Sequence, residues 1–194
     1  MRQLFLSLLA IAIFSSLTFG QNVKWSVDKS HSNVNFTVDH LVISEVDGHF
    51  SDYTVEAETN AKNELLKVEA VIKTGSVNTD NADRDAHLKN DDFFNSEKFP
   101  DMKFVSKSVK KSGKGFKITG DLTIRDVTKT VTLDATFRGV TQDPWGNTKM
   151  GWIATTKINR FDYNLKWNKA IETGGLVVGK DVTITLKIQL VKNK

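Results

Sequence analysis

Phe116-Lys117-Ile118-Thr119-Gly120-Asp121-Leu122-Thr123-Ile124-Arg125 decides the reading of this chain. In an extended backbone successive side chains point to opposite faces. Phe116, Ile118, Gly120, Leu122 and Ile124 therefore share one face, and Lys117, Thr119, Asp121, Thr123 and Arg125 the other. A helical period would scatter both sets. One apolar and one polar face are what a half-buried antiparallel strand requires.

The same two-residue period recurs on both sides of this stretch. Val34, Phe36 and Val38 alternate with Asn33, Asn35 and Thr37, and Leu66, Val68, Ala70 and Ile72 with Lys67, Glu69, Val71 and Lys73. Later come Val131, Leu133, Ala135 and Phe137, then Met150, Trp152, Ala154, Thr156 and Ile158, then Val182, Ile184, Leu186, Ile188 and Leu190. Weaker strands are readable at 24–27, at 102–109 and at 49–58, where Phe50 and Tyr53 break phase as a bulge would. Arg125-Asp126-Val127-Thr128, Gln142-Asp143-Pro144-Trp145-Gly146 and Lys111-Ser112-Gly113-Lys114-Gly115 supply tight turns. About nine such segments predict an all-β antiparallel meander. An open sheet of that width would leave two edges and a bare apolar face, so it must close into a barrel or fold into a sandwich.

One segment, 74–100, breaks the rhythm. Asn81-Ala82-Asp83-Arg84-Asp85-Ala86-His87-Leu88 predicts a short helix capped by Asn81, within a helical excursion near 80–95. Phe93-Phe94 and Phe99-Pro100 then return aromatic mass to the sheet. A long excursion of this kind is a functional segment or a lid.

Ahead of the strands, Met1-Arg2-Gln3, an apolar run over Leu4 to Phe14 broken only by Ser7, and the small residues Ser15 to Gly20 have the order of a secretory signal peptide. As a helix the run would rise about 16 Å, roughly half of a hydrocarbon core. With Thr18 and Gly20 at the small positions, cleavage near Gly20 is expected, and Gln21 becomes the mature terminus. A lipoprotein would need a Cys there. Residues 1–20 are thus read as the signal, and 21–194 as one domain, periplasmic or secreted.

The composition, 39% apolar and 26% charged with 12 Gly and 2 Pro, is that of a globular protein. The absence of Cys removes disulfides, thiol nucleophiles and thiolate metal sites. A net charge of +4 is small and dispersed. Lys107, Lys110, Lys111, Lys114 and Lys117 interleave only with Phe116 and read as a solvated hairpin, so no nucleic-acid partner is expected.

Catalytic constellations are weak. Asp28, His31 and Ser32 crowd together, but no nucleophile-elbow pattern surrounds any Ser. His31, His40 and His49 are spaced by nine, which alternates faces along one strand, and no HxH or HExxH pattern occurs. No metal site is therefore assigned. Asp80, Asp83, Asp85, Asp91 and Asp92 lack the spacing of a calcium loop and read as a solvated acidic loop. The aromatic supply, with Trp25, Trp145, Trp152, Trp167 and 12 Phe, either fills a small barrel or lines a cavity for one small ligand. Gly120, Ala135, Ala154 and Ala70 on the inward phase would leave room for the second filling.

Asp28-Lys29-Ser30-His31-Ser32 with Val34, Phe36 and His40, followed by Gly48-His49-Phe50, resembles the opening of the polyisoprenoid-binding YceI-like family. Three further blocks agree with it in order. They are Arg84-Asp85-Ala86-His87-Leu88 with Asp92-Phe93-Phe94 and Phe99-Pro100; Gly120-Asp121-Leu122-Thr123-Ile124 with Val127-Thr128; and Asn159-Arg160-Phe161-Asp162 ahead of Val178-Gly179. The sequence departs from the family at Asp121 and Asp126, where an apolar residue or Gly is common, and at Tyr163, where Gly is usual. The resemblance implies a lipocalin-like antiparallel β-barrel of about eight strands that encloses an isoprenoid or similar amphiphilic lipid. It implies a carrier or store, not an enzyme, with no cofactor beyond the bound lipid.

On that reading Phe36, Val38, Phe50, Phe104, Leu122, Leu133, Phe137, Trp152 and Ile184 are expected to line the tunnel. His31, His40, Arg84, His87, Arg160 and Asp162 are expected to hold a head group at its mouth. Arg84 and His87, three apart on one helix face, could instead pin the excursion to the barrel, and Arg160 with Asp162 could be a structural ion pair. The alternatives are an enzyme acting on a lipid and an envelope protein with a filled barrel. A monomer or homodimer is expected, with room for transient contact with a membrane or membrane protein.

Overall fold

The computed structural model describes residues 22–170 and 176–194. The signal segment and its cleavage point lie outside the described residues. The strands are β1 (Val23–Val27), β2 (Asn33–His40), β3 (Ser44–Phe50), β4 (Tyr53–Thr59), β5 (Leu65–Lys73), β6 (Val77–Asn78), β7 (Asp101–Ser112), β8 (Gly115–Ile124), β9 (Val127–Gln142), β10 (Thr148–Asn159) and β11 (Val178–Lys192), with one helix, α1 (Ala82–Lys89).

These eleven segments make eight staves. β1 and β2 both pair with β11, through Val27 with Leu190 and Asn33 with Lys187, and are one stave interrupted by the 3-10 turn Lys29–His31. β3 pairs with β2 and β4 with β1, so they form a second stave bent at Ser51-Asp52. β5 pairs with β4 and β6 with β3, a third, bent at the 3-10 turn Thr74–Ser76. β7 to β11 complete the ring, and β1 against β11 closes it. The result is a closed antiparallel barrel with no long free edge among the described residues.

The phase break read at Phe50 and Tyr53 is thus a corner between two strands. A second departure occurs in β5. Leu65 and not Leu66 faces inward, because the pairing shifts between Glu58 and Thr59, and Leu66 is left 46% exposed.

α1 begins where its cap requires. The Asn81 side chain accepts from Arg84 N–H at 2.9 Å, acids Asp83 and Asp85 stand in the first turn, and His87 and Lys89 in the last. The helix buries no residue of its own. Burial comes instead from the loop after it, where Phe93 and Phe94 enter the core. Arg125 holds that loop by donating to Asp91 O and Phe93 O, both at 2.9 Å. With the β2–β3 and β8–β9 turns and the β10–β11 connection, α1 forms the upper end of the barrel.

Candidate functional site

The inward faces enclose a cavity in which the space open to the centre of a water-sized sphere is about 220 Å³. Among its lining residues only Asn35, Thr156 and Arg160 are polar. Eight of the nine apolar residues expected there are on its wall: Phe36, Val38, Phe50, Phe104, Leu122, Leu133, Trp152 and Ile184. Register brings them together, with Phe104 opposite Leu122 and Phe36 opposite Ile184.

Phe137 is the correction. It stacks on Trp152 at 4.9 Å, with Phe116 at 5.3 Å from the same indole, and belongs to an aromatic floor. Trp25 and Met150, each 1% exposed, complete the lower core, and the indole N–H of Trp25 donates to Thr59 Oγ1 at 3.0 Å.

Small side chains open the space above this floor. Ala70, Ala135 and Ala154 are wall residues, as their phase predicts. Gly120 acts differently: a Cβ there would lie 2.6 Å from Phe104 Cζ, so the missing side chain makes room for that ring and not for the cavity. Gly48 does the same for the ring of Phe36. Phe93, Phe94, Leu88 and Leu165 close the upper end. Sequence reasoning placed the Phe93-Phe94 pair near the barrel but not in the site, because no periodicity marks a loop residue.

Of the six polar candidates, Arg160 alone reaches the cavity. It is 3% exposed. Its Nε donates to Gly179 O at 2.8 Å, Nη1 to Leu165 O at 2.6 Å and Trp167 O at 2.8 Å, and Nη2 to Val178 O at 3.0 Å. One Nη2 hydrogen is left without a partner among the described residues, and none of these acceptors is a carboxylate. The guanidinium also packs on the Phe161 ring at 4.4 Å. Burial pushes its pKa down from the ordinary arginine range, the direction expected for a cation taken out of water.

The other five do not gather at a mouth. His31 sits in the turn after β1, exposed, with Nδ1 3.0 Å from Asp28. His40 ends β2, opposite Ser44 and Val178, off the wall. Arg84 donates from Nε to Thr79 Oγ1 at 2.8 Å and from Nη2 to Thr79 O at 2.7 Å, which ties α1 to the segment after β6. His87 lies 2.9 Å from Asp92 and packs edge-on against Phe93 and Trp167. Arg84 and His87 thus pin the excursion. Asp162 is exposed and 3.4 Å from Lys129, so it makes no ion pair with Arg160.

Two further acids of the excursion are engaged: Asp85 accepts from Thr79 N and Oγ1, and Asp91 from Arg125 and Asn95. Next to Arg160, Tyr163 is 2% exposed, and its hydroxyl has no hydrogen-bond partner among the described residues. Burial, with Asp162 nearby, pushes that phenol up to about 12.

The sequence profile of the YceI-like domain matches residues 25–190. The chain belongs to the YceI-like family. A UPF0312 protein of Staphylococcus aureus strain MSSA476 is 41% identical to it over 160 residues, covering 81% of this chain and 91% of that one. The crystal structure of the Campylobacter jejuni YceI protein shares 35% identity, covers 87% of this chain and 97% of its own, and superposes with a TM-score of 0.70. A polyisoprenoid-binding domain from Saccharophagus degradans has the same fold at 14% identity, with a TM-score of 0.61 over 87% of this chain and 98% of that one. This YceI-like barrel is therefore closed and eight-staved like its relatives, and its hollow centre is a property of its own side chains.

Proposed function

We propose that this barrel encloses the chain of an isoprenoid or similar amphiphile, such as a quinone, a polyprenyl compound, or a fatty acid or amide. The protein acts as a carrier or store in the periplasm or outside the cell, after cleavage near Gly20, and not as an enzyme. The observation that carries the reading is a cavity inside the barrel whose wall, among the described residues, is apolar except for Asn35, Thr156 and the buried Arg160. Such a lining offers water few hydrogen bonds, so an apolar chain gains by replacing it. The polyisoprenoid-binding domain of Saccharophagus degradans supports this through shared fold.

Enclosing about 400 Å² of ligand surface contributes on the order of 10 kcal/mol. Ordering costs cancel roughly half or more, which leaves micromolar to nanomolar affinity. Arg160 gives the cargo a direction. A buried cation bonded only to carbonyls favours a head group that brings an acceptor or a negative charge to it.

The test is to purify the protein from the periplasm, compare its native and denaturing mass spectra, and identify what dissociates on solvent extraction. A stoichiometric long-chain amphiphile with an oxygen-bearing head group is expected. No adduct, together with no uptake of added isoprenoids, would overturn the reading.

A further inference from the structure

The β2–β3 hairpin turns through Leu41-Val42, with Ile43 N–H donating to His40 O at 3.3 Å. Both turn residues lie in the left-handed region, Leu41 at φ 53 and Val42 at φ 66. The pairing of His40 with Ser44 leaves Leu41-Val42-Ile43 as a three-residue loop, and its first two positions have the positive φ that Asn and Gly adopt most readily. A β-branched residue there is disfavoured by its own Cβ. The side chains recover little of this by burial, since Val42 is 69% and Ile43 86% exposed. Left-handed backbone at Leu41 and Val42 and solvated branched side chains at Val42 and Ile43 serve nothing inside the fold, and such local conflicts concentrate where a protein works.

The position of the turn says where it works. Leu41 N–H donates to Val177 O at 2.9 Å, His40 pairs with Val178 and Val38 with Val182. Val38, Val178 and Val182 are all cavity wall. The tip is thus the outward continuation of the wall at the upper end. Of the other described elements at that end, α1 and the Arg125-Asp126 turn are polar, and the large apolar residues of the β10–β11 connection, Phe161, Leu165, Trp167, Leu176 and Val177, are buried or half-buried.

We propose that Leu41-Val42-Ile43 docks the upper end of the barrel onto a lipid bilayer by shallow insertion of the hairpin tip. The tip is convex and a few residues wide, far below the roughly 800 Å² per partner that a stable protein interface uses, whereas an apolar tip of that size enters the headgroup boundary without shape complementarity. Among the described residues, exposed charges of both signs stand near it, Asp39, Glu45 and Asp47 on the hairpin and Lys169 and Lys180 on the adjoining segment, with no basic cluster on the tip. Attraction is therefore apolar and not electrostatic. The inference rests on the lipid-cargo reading for its purpose, and on the hairpin alone for its geometry.

The test is sedimentation of the purified protein with phosphatidylcholine vesicles at low and high salt, for the natural protein and for a Leu41→Asn, Val42→Gly, Ile43→Thr variant. The natural protein should sediment to the same extent at both salts. The variant's bound fraction should fall about fivefold or more, while its melting temperature stays equal or rises because Asn-Gly suits the turn. Ile43→Asp, altering a side chain outside the core, should lose vesicle binding in the same way. Natural protein that ignores vesicles, binding lost at high salt, or variants that sediment unchanged would overturn the proposal. Extracted lipid measured in the same preparations separates the two readings: protein that docks but carries nothing fails as a carrier only, and protein that carries lipid but ignores vesicles fails only here.

Discussion

The lower and upper halves of the barrel are built from the same alternating strands and meet opposite fates. In the lower half, Phe116, Phe137 and Met150 contact Trp152, and Trp25 is buried beside Thr59, so side chains fill the interior. Above this floor, alanines at 70, 135 and 154 take some of the inward positions among larger side chains, and Phe93 and Phe94 line the far end across the cavity. Antiparallel strand pairing runs through both, with local register shifts in each. Side-chain volume alone separates a floor from a cavity, so stability should depend on the floor and occupancy on the wall.

The sharpest way to break this division is Trp25→Ala. It removes a fully buried indole and orphans Thr59 Oγ1, itself inaccessible, and should cost about 3–5 kcal/mol in urea unfolding. Lipid class in the surviving folded fraction should not change. A loss below about 1 kcal/mol would mean the floor is not close-packed.

Ala154→Phe makes the converse demand. Its ring enters open space, so stability should move by about 1 kcal/mol or less while bound lipid falls about tenfold or more in native mass spectra. Unchanged occupancy would place the cargo elsewhere.

A subtler distinction concerns pH. Asp28, at the turn from β1 into β2, reaches β10 through Lys149 at 2.7 Å; Ser30 Oγ donates to it at 2.6 Å, and His31 lies within hydrogen-bond reach. The Lys149 bond is the largest influence holding this carboxyl well below the usual range. A depressed folded pKa adds stability above the unfolded value near ~4 and loses it as pH falls toward the folded one. Asp28→Asn should therefore be less stable at neutral pH, by on the order of 1 kcal/mol once solvent screening is allowed for, and this deficit should shrink markedly near ~2, where the unfolded carboxyl is already protonated. Urea midpoints at the two pH values decide it, and equal differences at both would show that the charge is not the cause.

The smallest effect expected is a gain. Tyr163→Phe removes an unpartnered buried hydroxyl and should raise stability by about 1 kcal/mol, with the lipid retained. A loss would show that the hydroxyl is satisfied in solution.

How much of this was legible varies by element. The inward sets of β8, β10 and β11 follow directly from alternation, and the cap at Asn81 from its side chain. The β5 shift was not, since Leu65 and Leu66 are chemically alike and the opposite strand chooses between them. Nor was the Leu41-Val42 turn, which carries none of the residues that announce one. Eight of the nine apolar residues expected on the wall are there, whereas Val55, Leu88, Phe93, Phe94 and Leu165, which also line it, were not expected there. Of six polar candidates one faces the cavity, because long polar side chains find partners in loops whose paths no local pattern records.

By itself the sequence determined the all-β class, the face of most strands and the small inward residues, because these depend on a two-residue period and on volume. Only the tertiary structure decided which staves close on which, that Phe137 belongs to the floor, and that Arg160 alone brings charge to the cavity. Those outcomes depend on contacts between residues far apart in the chain, such as Phe137 on Trp152 and Arg160 on Val178 and Gly179, and a local pattern contains no term for them.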